Sequence, residues 1–118
     1  MSDLPIYKDL DVVNNEYSDR DYNISIEVPE FNCVCPKTGL PDFANIKINY
    51  IPHKNIVELK SLKLYMVKFR NMGIYHEHVT NQILNDLVRV LSPKKIRVVG
   101  DFHPRGGVKT AVEAVWEK

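Results

Sequence analysis

The sequence predicts an α+β domain in which an antiparallel sheet carries two helices on one face. Two runs of strict apolar/polar alternation come first, two runs with apolar residues every three or four positions follow, and two further strand-like runs close the chain. The order is therefore ββααββ, two hairpins flanking a helix pair, a pattern that forms one sheet with a helical layer on it. At 118 residues with 44% hydrophobic content, the chain supports one core and no second domain.

Residues 1–20 carry Asp, Asn, Tyr and Ser with little periodicity and read as an N-terminal arm, with the domain spanning 21–118. Regular structure is expected to begin near Tyr22. Tyr22, Ile24, Ile26 and Val28 alternate with Asn23, Ser25 and Glu27, predicting a half-buried strand that ends before Pro29. From Phe43 to Ile51, Ile46, Ile48 and Tyr50 face one way while Asn45, Lys47 and Asn49 face the other, and Pro52 closes this strand. The period then changes. Leu59, Leu62, Met66 and Phe69 share one face of a helix that stops at Asn71-Met72-Gly73. Val79, Ile83, Leu87 and Val90 or Leu91 predict a second helix from about Tyr75 to Leu91, ended by Ser92-Pro93. The short link makes the helices antiparallel neighbours. Lys95–Phe102 and Val108–Trp116 complete the sheet around a His103-Pro104-Arg105-Gly106-Gly107 turn. Such a sheet has two open edges, which side-by-side association of subunits into a closed ring would cover.

Composition narrows the function. Sixteen basic against fifteen acidic residues leave a net charge of +1, which offers no general surface for a nucleic acid. The chain has no basic, apolar leader at its start and no apolar run near the roughly 18 residues that span a bilayer, so a cytoplasmic protein is expected. In that compartment Cys33 and Cys35 remain reduced. His53, His76, His78 and His103 fall at no metal-ligand spacing with the cysteines, so no metal is expected.

Chemistry concentrates in Cys33-Val34-Cys35-Pro36-Lys37-Thr38-Gly39-Leu40-Pro41-Asp42, where two prolines and a glycine predict an ordered loop. A thiolate is a strong nucleophile toward electrophilic carbon, and Cys35 is the candidate, although small buried cysteines also serve as packing residues. Asp42 is either its proton-transfer partner or a turn former. Lys60 and Lys63 share a face in the first turns of the first helix, where they are either a solvated surface or ligands for a phosphate. His76-Glu77 opens the second helix; Glu77 either complements the helix dipole or accepts paired N–H groups from a heterocycle. Arg105 sits in a turn that either only joins two strands or brings a phosphate clamp to an active site. No G-x-G-x-x-G turn is present, so nucleotide binding of the Rossmann type is not expected.

Cys35-Pro36-Lys37-Thr38-Gly39 with Pro41-Asp42-Phe43, the octapeptide Glu58–Tyr65, Phe69-Arg70-Asn71, His76-Glu77 and Pro104-Arg105-Gly106-Gly107 together resemble the QueF family, the nitrile reductases of queuosine biosynthesis. The match runs from about residue 20 to the end and is similar to the short, single-module type. The resemblance implies the tunnelling fold, with a ββααββ unit whose sheets join into a barrel on oligomerisation. It implies that Cys35 attacks the nitrile of 7-cyano-7-deazaguanine to form a thioimide, that Asp42 transfers protons, and that two NADPH molecules supply hydride. It further implies that His76, Glu77 and the backbone around Val57, Glu58 and Leu59 hold the substrate, while Lys60, Lys63 and Arg105 meet the NADPH phosphates. Subunits are expected in two stacked rings, a decamer, with active sites between neighbours and no direct contact with nucleic acid or membrane. Cys33 departs from the family pattern. The histidine spacing lacks the zinc ligands of cyclohydrolases and pterin synthases, and a non-catalytic ring binding a purine-like ligand is the alternative reading.

Overall fold

The structure, a computed structural model, describes residues 4–118. Its elements are a 3-10 turn at Tyr7–Asp9 and the strands β1 (Val12–Asn14), β2 (Ile24–Val34), β3 (Pro41–Ile51) and β4 (Asn55–Val57); α1 (Leu59–Val67) and α2 (His76–Leu91) follow, then β5 (Lys95–Phe102) and β6 (Ala111–Glu117). The main sheet is antiparallel throughout in the order β2-β3-β5-β6. Among the described residues no helix is long and apolar enough to cross a membrane.

The core follows from period two. On β3, Ala44, Ile46, Ile48 and Tyr50 are buried at every second position, and on β5 Ile96, Val98 and Phe102 match them. Cross-strand pairs Ile26–Ile48 and Ile48–Val98 continue this row through the sheet. Against it α2 lays Val79, Ile83, Leu87 and Leu91, and α1 lays Leu62, Tyr65 and Met66, with Phe69 just beyond. Full burial of each branched side chain is worth roughly 1.5–3 kcal/mol. A bond from the Tyr65 hydroxyl to Asp86 Oδ2, 2.6 Å long, ties the two helices together.

Three expectations need correction. First, β2 does not stop before Pro29 but runs on to Val34, with a register shift between Val28 and Phe31. Pro29 lacks an N–H, yet β2 is an edge strand, where a bulge accommodates proline. The shift changes the phase, so Phe31 and Cys33 face the core where the even-numbered Ile24, Ile26 and Val28 faced it before. Second, Leu59 is 61% exposed. Ser61 and Tyr65 fill the buried side of α1, so the stripe centres near Phe69 and Leu59 falls at its margin. Third, structure precedes Tyr22. The arm, of which residues 1–3 lie outside the described residues, pairs β1 with β4 and lies on both helices. Lys68 binds Asp9 Oδ1 at 2.8 Å, and the Arg89 guanidinium stacks 3.6 Å above the Tyr7 ring. Three exposed residues cannot display a period, which hides β1 from any pattern.

Gly100 is the one place in β5 where α2 comes too close for a side chain. A Cβ there would lie 2.5 Å from Thr80 Oγ1 and 2.9 Å from Phe102 Cε1. Gly100→Ala is therefore expected to destabilise the fold by about 1–3 kcal/mol through overpacking, read as a lower denaturant midpoint at unchanged slope. A midpoint equal to wild type would show that α2 can move away freely.

Candidate active site

The turn between β2 and β3 is built around Cys35. Its N–H donates to Leu40 O (2.9 Å) and its carbonyl accepts from Gly39 N (2.9 Å), with Gly39 at φ 73°. Pro36 begins a single helix-like turn, which aims the N–H groups of Lys37 and Thr38 back at Sγ as at a helix N-cap. The Thr38 hydroxyl accepts from Leu40 N (3.2 Å) and donates to the same sulfur. These bonds favour the thiolate. Thr38 through its hydroxyl first, then the Thr38 and Lys37 amides, hold the Cys35 thiol below the usual thiol range, against an opposing push from burial and from Asp42.

Cys33 is the opposite case. It is fully buried on the core face of β2, and burial first, then the charges of Asp42 and Cys35, push its thiol up to about 12. Two thiols indistinguishable by spacing thus differ in kind: Cys35 is half-buried and held toward the thiolate, Cys33 is a buried packing group.

Asp42 lies directly across from Cys33 and is itself only 6% exposed. It occupies the last position of the β3 row that buries Ala44, Ile46 and Ile48, so it is a core-facing carboxylate and not a turn former. Arg105 Nη1 donates to its Oδ1 at 2.9 Å and also to Pro41 O, while His76 Nε2 pairs with Oδ2 at 3.1 Å. The His76 ring lies flat on Phe102, centroids 3.7 Å apart and 4° from parallel. Arg105 is placed by a tight turn: Arg105 and Val108 exchange both backbone bonds, and Gly106 and Gly107 have φ of 58° and 81°, as a type I′ turn requires.

A short bridge brings α2 to this place. Val34 N donates to Met72 O and Ile74 N to Val34 O, both at 3.0 Å, so residues 72–74 run beside the end of β2 and deliver His76 to Asp42. Cys35, Asp42, His76 and Arg105 therefore gather from four separate segments of one chain.

The other predicted residues lie elsewhere. Glu58 caps α1, its carboxylate accepting from Lys60 N (2.7 Å) and Ser61 N (2.8 Å), which holds it below the usual carboxylate range. Val57 is buried with its N–H on the Tyr50 hydroxyl (3.1 Å). Leu59, Lys60 and Lys63 are exposed, and among the described residues no hydrogen bond or ion pair joins the two lysines to the Cys35 group. Lys63 instead borders a groove of about 550 Å³ between α1 and β2, floored by Leu62 and Met66, with Arg70 on the same helix side and Glu27 and Glu30 opposite. Cations beside apolar walls suit a phosphate-bearing ligand with flat rings. Glu77 is exposed at the first turn of α2. Sequence reading missed Thr38 and Phe102. Thr38, three residues after Cys35 and two after Pro36, has the spacing of a capped turn, and Phe102 ends the alternating row of β5.

Comparison with known proteins agrees with the resemblance. A family model described as QueF-like protein matches residues 41–118. A protein of Thermomicrobium roseum named NADPH-dependent 7-cyano-7-deazaguanine reductase is 55% identical over 111 residues, covering 94% of this chain and 87% of its own length. One of the same name from Chloroherpeton thalassium is 53% identical over 108 residues, covering 92% and 93%. The crystal structure of the archaeosine synthase QueF-Like in the apo form superposes with a TM-score of 0.73 at 20% identity, covering 79% of this chain and 91% of that one, a likeness of the tunnelling fold.

Iodoacetamide is expected to label Cys35 in the native protein and Cys33 only after unfolding, as read by peptide mass. The rate of Cys35 labelling should rise with pH through a midpoint below the roughly 8.5 of a free thiol. Thr38→Val removes a bond to the thiolate and should move that midpoint upward; an unchanged midpoint would refute the role of the hydroxyl.

Proposed function

The chain belongs to the QueF family, and on that premise we propose that it reduces the nitrile of 7-cyano-7-deazaguanine to the amine of 7-aminomethyl-7-deazaguanine with NADPH, a step of queuosine biosynthesis. It is an oxidoreductase. The observation that carries the reading is a thiol whose surroundings favour the thiolate, one hairpin turn away from a buried carboxylate.

The Cys35 thiolate attacks the nitrile carbon: the sulfur–carbon bond forms, one carbon–nitrogen π bond breaks, and nitrogen gains the one proton that the thiol gave up on ionising, giving a thioimide with no net proton change. This converts a poor hydride acceptor into a better one. NADPH supplies the hydride, two equivalents for the four electrons. Asp42 gives nitrogen a proton each time the carbon gains hydride, and between the two reductions the carbon–sulfur bond breaks as an N–H proton passes to sulfur, releasing the Cys35 thiol and an imine. His76, paired with Asp42, and Glu77, exposed beside it, support a role in holding the deazaguanine, with the segment Val57–Leu59 as a further wall. Lys60, Lys63 and Arg105 meet the phosphates of NADPH, and the apolar groove with Lys63 on its rim fits that ligand.

The free edges β2 and β6 support edge-to-edge joining of subunits into a barrel, two rings stacking as a decamer. Active sites between neighbours would unite the Cys35 group of one subunit with the start of α1 of the next. A free nucleophilic thiol fits a reducing cytoplasm.

Mixing the protein with 7-cyano-7-deazaguanine in the absence of NADPH should give a mass gain equal to that of the nitrile, lost in Cys35→Ala. Absence of both this adduct and substrate-dependent NADPH oxidation would leave a non-catalytic purine-binding ring. Lys60→Ala with Lys63→Ala should raise the KM for NADPH about tenfold or more, the worth of one charged hydrogen bond, and leave that for the nitrile nearly unchanged. Equal effects on both constants would refute the assignment.

A further inference from the structure

Arg105 is expected at a phosphate, yet its guanidinium lies on Asp42 Oδ1 at 2.9 Å and on Pro41 O. The two partners are unequal. The Asp42 side chain is 9% exposed and fixed in a strand, whereas the Arg105 side chain is 40% exposed at the mouth of a two-glycine turn. Arg105 can therefore leave without disturbing the fold, and Asp42 cannot follow it. Arginine has donors only and keeps its charge, so the oxygen it binds accepts and does not donate while it stays. The other oxygen is engaged by His76. In this arrangement Asp42 is a clamped carboxylate with neither oxygen turned free toward a substrate.

We propose that Arg105 is a positioning residue shared between Asp42 and the cofactor: it clamps Asp42 in the cofactor-free protein, and an NADPH phosphate draws it off. Asp42 then takes up a proton from solvent, and that proton goes to the substrate nitrogen as carbon gains hydride. Thioimide formation needs no such release, because the proton lost when Cys35 ionises balances the one nitrogen gains; the clamp acts on the hydride steps alone. A carboxylate that loses a guanidinium inside a buried site regains neutrality most readily by binding a proton. Among the described residues, Asp42 is faced by Cys33 and Cys35 from the β2 side, His76 from α2 and Arg105 from the β5–β6 turn, and of these Arg105 alone is a guanidinium, with its side chain 40% exposed.

This inference rests on the reading of Arg105 and Asp42 given under the proposed function. Its test is calorimetric titration of the homogeneous protein with NADP+ in buffers of different ionisation enthalpy, which counts protons taken up on binding without any turnover. Wild type should take up more protons than Asp42→Asn and than Arg105→Ala, the two variants giving the same smaller value. Arg105→Ala is at an exposed turn and Asp42→Asn keeps the side-chain shape, so circular dichroism should match wild type for both. Equal proton uptake by wild type and Asp42→Asn would overturn the clamp while leaving the cofactor reading intact. No NADP+ binding by any of the three would overturn the cofactor reading and the clamp with it.

Discussion

The constraint on which this site depends is the period of two along β3. Asp42 belongs to the same face as Ala44, Ile46, Ile48 and Tyr50, so the alternation that builds the core also buries a carboxylate at its end. Moving the strand by one residue would turn Asp42 out to solvent and Phe43 in, and would empty the core at the same time. The position of the carboxylate is thus protected by the whole hydrophobic row and not by a local turn. Burying it is tolerable because Arg105 and His76 each bring a nitrogen to one oxygen.

Everything else at the site is attached to that row. The β2–β3 hairpin sets Cys35 above it, the Val34 bridge to Met72 and Ile74 swings the start of α2 over it, and Phe102, at the matching end of β5, supports the His76 ring. Gly100 belongs to the same chain of cause. It lets α2 approach β5, Thr80 bonds back to His76 O at 2.9 Å, and the histidine is held by its backbone and its ring at once.

How much of this could be read in the sequence depended on range. The β3 alternation and both helices declare themselves in a dozen residues, and the family motifs pick out Cys35, Asp42, His76 and Arg105 without geometry. The bulge at Pro29 was not legible, because proline ends a central strand but only bends an edge one, and strand order is a property of the whole chain. Nor was the difference between Cys33 and Cys35, which is made by burial. Asp42 stayed open between proton-transfer partner and turn former, since the residues that hold it in the structure, His76 and Arg105, lie 34 and 63 positions away. The docked arm left no pattern because its strand has three residues.

Two parts of the chain are ordered by independent means, and that bears on where a substrate would sit. The Cys35 group is fixed by the β3 row and the α2 bridge. The start of α1 is fixed from the other side: the Glu58 carboxylate caps its own helix, Glu58 N donates to Asp11 O, and Asp11 N donates to Ser61 Oγ, each at 2.9 Å for the Asp11 pair. Among the described residues, no side-chain hydrogen bond or ion pair joins the two assemblies. On the proposed reading, a pocket requiring both would be made by bringing these rigid surfaces together. In the proposed ring the outer edges of β2, short of its bridge at Val34, and of β6 would give those surfaces a way to meet, because strand pairing fixes distance and register at once. In the proposed ring the arm would keep the α1 start rigid enough to act as a wall beside a neighbour's Cys35.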